Sequence, residues 1–341
     1  MPESDPFKIT LKENGLHSYW QGIDLYAEYL QSQDKMQLRD AIMFLHHGVE
    51  LLMKQILVSK SEFLIFTSLN EAAAKQKKAD DLGTNIFVLE NPPKTITYTE
   101  AIARVEAFIK PPQLNDDLTT GLTRLNSIRN QLEHYAIETD LDQSIKLLAS
   151  LHQPLLDLFE AQIGGVLRTQ TRATRRAWRT VQDRADFASR LEAEVADVMT
   201  AFAGQTVPGR LFGLDGQLTL PSFSQVLADA ALPHARGVGY RPDLVGEGEH
   251  TTWIVDVAGT GARLLDRSGR MRAYRNFYVR APGAQTGPVT LWLVVFADLE
   301  DRVRETARDL GILLTTGPQL YELKDLLSVG PESTATSAHP E

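Results

Sequence analysis

The chain changes its hydrophobic period near its middle, and that change limits the folds open to it. Up to about residue 163, apolar residues recur at helical spacing. Residues 16–31 and 100–109 read as helices, 71–82 as a weaker one, and 116–137 and 140–163 as two more. Residues 38–59 (LRDAIMFLHHGVELLMKQILVS) have little polar relief, which predicts a central, mostly buried helix. Asn91-Pro92-Pro93 and Pro111-Pro112 interrupt the pattern, and Thr99 is the expected cap of the 100–109 helix. Four or five helices with short links predict a bundle. After a helix over 181–203 the period shortens. Runs at 209–214, 241–245, 252–257, 290–296 and 311–316 read as strands, and segments 262–281, 299–309 and 318–327 as helices. Strands alternating with helices predict an α/β sheet with covered faces. The fold class expected is therefore α plus α/β, and residues 329–341 read as a disordered polar tail.

Basic residues divide at the same place. Residues 1–165 carry 11 Lys and 4 Arg against 23 acids, whereas 166–341 carry 1 Lys and 19 Arg against 21 acids. Two modules with separate histories explain such a switch, with the join near Gly164-Gly165. A chain of 341 residues has room for both. The net charge of -9 excludes a wholly basic nucleic-acid binder, so a polyanion site has to be a local patch. Arg168, Arg172, Arg175, Arg176, Arg179, Arg184 and Arg190, facing only Asp183 and Asp186, form one. This stretch reads either as a backbone-contacting surface or as a solvated connecting helix over 164–181. The absence of cysteine excludes disulfides, thiolate metal sites and Cys nucleophiles, and fits a reducing cytoplasm. No apolar run approaches the roughly 20 residues of a membrane helix, and no signal peptide is evident. Walker A, zinc-ligand and G-x-S-x-G patterns are missing, so NTPase, zinc-protease and α/β-hydrolase readings lack support.

Residues 127–135 read SIRNQLEHY. Arg129 and His134 are about 140° apart around an ideal helix, whereas Asn130 and His134 share a face. An imidazole moves protons near neutral pH, and a guanidinium holds a phosphate. Together with HHGVELLMKQIL, which carries Glu50 and Lys54, the motif R-N-x-x-x-H resembles the HEPN family of helical RNases and nucleotide-binding proteins. The likeness covers about residues 8–163, and Tyr135 follows the histidine as the family favours. It implies a homodimer with a shared cleft, Arg129 and His134 as catalytic residues, Asn130 in support, and no cofactor. Glu50 matches an acidic position near that cleft. Glu50 and Lys54 also read as a simple i,i+4 pair, and His46 and His47 as packing histidines.

In the second half, Arg241-Pro242-Asp243-Leu244-Val245, a polar turn over 246–252, and Trp253-Ile254-Val255-Asp256-Val257-Ala258 predict a hairpin that sets Asp243 beside Asp256. Two such carboxylates either hold Mg²⁺ or cap strand ends. The pattern resembles the PD-(D/E)XK restriction-endonuclease-like nucleases over about 185–327. It implies a mixed central sheet, Mg²⁺ or Mn²⁺ on Asp243 and Asp256, and a third acid, Glu194 or Glu192, from the leading helix. The family lysine would fall at Ala258. Lys324 is far along the chain, and Arg263, Arg270, Arg272 and Arg275 lie on the segment after the hairpin. Two explanations for Ala258 stand: a natural pseudonuclease that still grips nucleic acid, or a lysine exchanged to trap an intact complex.

The domains expected are 1–163, 164–181, 182–328 and 329–341. The function expected is a prokaryotic defence or toxin-type nuclease acting on DNA or RNA, a cytoplasmic homodimer through its helical half, with a defence-system partner and no membrane contact. Arg172, Arg175, Arg176, Arg263 and Arg272 are its expected nucleic-acid contacts. The alternatives are a metal-independent HEPN RNase whose α/β half only binds, and an inactive dimeric adaptor or sensor.

Overall fold

The computed structural model describes residues 9–134, 141–228, 242–259, 264–278 and 287–328. The chain divides into two compact units, Met1–Asp183 and Arg184–Glu341. The first is helical and the second is built on a mixed sheet.

In the helical unit, α1 (Leu11–Ser32) and α2 (Lys35–Lys60) pack along their length. Thr10 and Glu13 form a capping box at α1, and Asp34 accepts the Met36 N–H at the start of α2. Glycines let the two backbones approach. A Cβ on Gly48 would lie 2.6 Å from the Tyr19 nitrogen, and one on Gly22 2.9 Å from the Leu45 nitrogen. The helix expected to be central is so: Leu45, Val49, Leu52, Met53, Ile56 and Leu57 of α2 are buried. Contrary to the sequence reading, α2 is long and apolar enough to cross a membrane, although most of it is buried within the unit. The remaining elements are α3 (Leu69–Asp81), α4 (Tyr98–Arg104), α5 (Asp116–His134) and α6 (Leu141–Ile163). The cap of α4 is Thr97, boxed with Glu100, rather than Thr99. A π turn over Val105–Ile109 follows it, closed by Lys110 in the left-handed region before Pro111.

At the join, the Glu160 carboxylate accepts the N–H groups of Gly165, Val166 and Leu167 as the chain enters α7 (Val166–Thr169). The arginine-rich stretch continues as the start of α8 (Arg172–Thr200), which merges with the helix expected over 181–203. Within the helical unit α8 turns Thr174, Ala177, Trp178 and Val181 to the core. Thr174 Oγ1 donates to Asp24 Oδ2 at 3.2 Å, and the Trp178 and His152 rings lie 3.5 Å apart.

The second unit holds a two-stranded ribbon, β1 (Thr206–Pro208) with β2 (Gln217–Thr219), and a five-stranded sheet in sequential order. Its strands are β3 (Gln225–Ala228), β4 (Leu244–Glu247), β5 (Thr252–Ala258), β6 (Val289–Val295) and β7 (Ile312–Thr316). The first three run antiparallel, and β5–β6–β7 run parallel. The crossover helices are α9 (Leu264–Tyr278) and α10 (Asp301–Asp309), and α11 (Gly317–Ser328) ends the described chain. One sheet face carries Trp253, Val255 and Trp292 against Val195 and Met199 of α8 and Leu323 of α11. The other carries Ile254, Leu293 and Val295 against Leu264 and Met271 of α9 and Val303 of α10.

Three expectations fail here. Residues 209–214 are not a strand: Gly209–Phe212 form a 3₁₀ turn between β1 and β2. Gly209 sits against the carbonyls of Leu214, Asp215 and Gly216, where a Cβ would lie 3.0–3.1 Å from each. Strands β1, β2 and β3 were not anticipated, being only three or four residues long. The hairpin turn is residues 248–251, shorter than expected. The expected tail over 329–341 lies outside the described residues.

Candidate functional site

The β4–β5 register sets two aspartates side by side. Leu244 pairs with Val255, so Asp243, one residue before β4, stands against Asp256. The Asp243 N–H donates to Asp256 Oδ1 at 3.3 Å, and the Val257 N–H donates to Asp243 Oδ2 at 2.7 Å. Side chains alternate along a strand. Val245, Ile254 and Ala258 point into the core beneath α9 and α10, so Asp243, Asp256 and position 258 share that face. The spacing of the motif therefore has a geometric meaning: a side chain at 258 emerges on the same side as both acids.

The cation on that face comes from α9. Leu264, Arg267, Ser268, Met271 and Tyr274 form its buried stripe. The Arg267 Nε lies 3.4 Å from Asp256 Oδ2, and Nη1 lies 4.0 Å from Asp243 Oδ2 while donating to the Val257 carbonyl at 2.8 Å. Asp243, Asp256 and Arg267 are 3%, 1% and 4% exposed. A carboxylate taken that far from water needs a counter-charge, and a guanidinium gives one that does not titrate away. The basic residues expected after the hairpin were Arg263, Arg270, Arg272 and Arg275, and Arg267 was not among them. Its signal was present: Arg267 falls at i+3 from Leu264 and i−4 from Met271, inside the apolar stripe of the helix.

This arrangement does not fit a divalent ion. One oxygen of each aspartate accepts a backbone N–H, and Arg267 stands over the pair. Among the described residues no group of three His, Cys, Asp or Glu side chains converges. Glu194 is elsewhere engaged, accepting the Tyr321 hydroxyl of α11 at 3.1 Å. Glu192, on the same helix, is half-buried. Lys324 is exposed on α11, and Arg272 is exposed on α9. Arg241 and Arg263 lie outside the described residues.

In the helical unit, Arg129 is already occupied. Its Nη2 donates to Glu133 Oε1 at 2.8 Å, and its Nη1 to Asn130 Oδ1 at 3.0 Å. Nη1 also makes an ion pair with Glu133 Oε2. Glu133 was not among the expected site residues, although it stands at i,i+4 from Arg129. His134 ends the described part of α5, and its side chain and Tyr135 lie outside the described residues. A polar row on α2 stands nearby. His46 Nε2 donates to Asn126 Oδ1 at 2.9 Å, and its ring stacks on Tyr98 with ring centroids 4.0 Å apart. Lys54, nearly buried, donates to Glu50 at 2.7 Å and to Thr95 Oγ1 at 3.2 Å. Burial holds the His46 imidazole below its ordinary pKa and the Tyr98 phenol above its own. His46 is thus a packing residue, whereas His47 is exposed. Glu50 and Lys54 are the i,i+4 pair.

The chain matches no family model, no curated protein and no solved structure.

Proposed function

We propose that this is a nucleic-acid-acting protein of the defence or toxin type, whose sheet unit is a nuclease module that in the present sequence binds without cutting. The observation carrying this is the common face of Asp243, Asp256 and position 258, with Arg267 laid across the acids. The order of leading helix, Asp243 strand, Asp256 strand, helix and two later strands supports the reading, since it is the order the restriction-endonuclease-like resemblance implies; the extra strand β3 is not part of that expectation.

In this reading two features silence the module. Ala258 offers no group to hold a phosphate or a nucleophile on the face of the acids. Arg267 offsets part of the charge of the acid pair, and a guanidinium is effectively always protonated, so it cannot take over a proton-transfer role. The test is cleavage of labelled plasmid DNA and RNA by the parent, by Ala258→Lys and by Ala258→Lys/Arg267→Ala, each with Mg²⁺ and with EDTA. The parent is expected to be inactive in both. The double variant, which restores the lysine and uncovers the acids, is expected to cut DNA only with Mg²⁺. A folded double variant that cuts neither substrate refutes the reading.

A second reading rests on α5, where Arg129 and Asn130 stand beside the polar row of α2. There the helical unit cleaves RNA without metal and the sheet unit only binds. RNA cleavage by the parent in EDTA, lost on His134→Ala, decides for it.

A further inference from the structure

We infer that the first turns of α8 form a second, non-catalytic surface, which grips the phosphate backbone of duplex nucleic acid without regard to sequence. Arg172, Arg175, Arg176 and Arg179 are spaced i, i+3, i+4 and i+7, so they lie on one helical face. That face is opposite Thr174, Trp178 and Val181, which pack into the core. All four arginines are exposed, and together with Ala173 they line a surface depression. Among the described residues none of the four guanidiniums has an ion-pair or hydrogen-bond partner. Asp183, one turn beyond Arg179, also makes no ion pair among them.

The placement runs against the stability of the free protein. The first turn of α8 contains no acid. Cations at a helix N-terminus oppose the macrodipole, and like charges at i,i+4 repel. A merely solvated helix face usually mixes both signs. A row of one sign at the unfavourable end is stabilised when an anion sits on it.

The form of the row selects the anion. From Arg172 to Arg179 the helix rises on the order of 10 Å. One strand of B-form duplex carries about three phosphates over that distance along its axis, so a polyanion fits better than a single phosphate. No aromatic ring lies among the four arginines, and Trp178 is turned inward against His152. Single-strand binders interleave cations with stacking rings, so the row fits a duplex backbone better than unstacked bases. A membrane surface is disfavoured because the apolar face that would enter lipid is already in the core.

The test uses the full chain, two labelled 30-base-pair duplexes of unrelated sequence, and fluorescence anisotropy in EDTA from 50 to 200 mM KCl. The parent is expected to bind both alike and to lose about 100-fold in affinity across that range, since each neutralised phosphate contributes about 0.9 to the salt slope. Arg172→Ala/Arg175→Ala/Arg176→Ala/Arg179→Ala is expected to bind at least ten-fold more weakly at 50 mM, with a salt slope flatter by about 3. The fourfold Arg→Lys variant is expected to recover binding to within several-fold. Parent affinity and parent slope in the alanine variant overturn the inference. So does a parent that binds phosphatidylserine vesicles but not duplex. Circular dichroism checks the helix, and Arg176→Gln alone, expected to flatten the slope by about 1, replaces the fourfold variant should that one misfold. The readout needs no bond cleavage. An inactive Ala258→Lys/Arg267→Ala protein therefore refutes the nuclease reading alone, and undiminished binding by the alanine variant refutes this one alone.

Discussion

The molecule uses arginine in two opposite ways. Arg267 is enclosed, 4% exposed, and set against two aspartates that are themselves withdrawn from water. Arg172, Arg175, Arg176 and Arg179 are exposed and have no ion-pair partner among the described residues. The first arrangement sets a buried guanidinium against two buried carboxylates. The second is a charge excess that the fold tolerates. The number of arginines therefore says little, and the solvation of each says what it does.

The comparison breaks most readily at Arg267. Removing one partner of a buried pair leaves charge stranded, which costs about 3–5 kcal/mol. Arg267→Ala is expected to lower the urea midpoint of the full chain accordingly. A loss below about 1 kcal/mol would mean that the acids are not held by this residue.

A buried titratable group with no counter-ion sharpens the contrast. His152 accepts or donates at Tyr19 through Nδ1 at 2.9 Å, while Nε2 has no hydrogen-bond partner among the described residues. Burial pushes its imidazole down to about 3. The folded pKa lies below the unfolded one, near 6.5, so the contribution is complete above pH 6.5 and is lost as pH falls toward 3. The loss expected over that window is about 5 kcal/mol. Urea midpoints of parent and His152→Gln from pH 7 to 4 should converge. Parallel curves would show that His152 does not carry the acid sensitivity.

The smallest effect belongs to the exposed row. The fourfold alanine variant is expected to keep the parent's stability in urea or to gain up to about 1 kcal/mol, by relief of like-charge repulsion and by better helix propensity. A fall of about 2 kcal/mol would place those arginines with Arg267, as part of the fold.

Much of this contrast could be read before any coordinates. The run 38–59 announced a buried helix, and Pro242-Asp243 and Asp256 on flanking β-prone runs announced adjacent acids, because strand pairing is local there. The arginine row was visible as charge spacing. Arg267 was missed because its partners come from β4 and β5, and the rotation of α9 over the sheet is a tertiary fact. The partner of Glu194 was hidden for the same reason: helix spacing does not tell which group its carboxylate meets, here the Tyr321 hydroxyl. The glycine-bound turn at 209–212 read as a strand because its leucine and phenylalanine are apolar, although carbonyl crowding around Gly209 decides the local path.

The glycine contacts between α1 and α2 have a consequence for mobility. With a missing Cβ at Gly48 against Tyr19 and at Gly22 against Leu45, neither helix can slide past the other by a residue without driving a side chain into backbone. The two move as one block. The start of α8 is fastened to that block through Thr174 and Asp24, and to α6 through Trp178 and His152. The four arginine backbones therefore hold fixed mutual spacing before any ligand arrives. Only side-chain rotamers remain to be ordered on binding, and the entropic cost of gripping a rigid, evenly charged rod is correspondingly low.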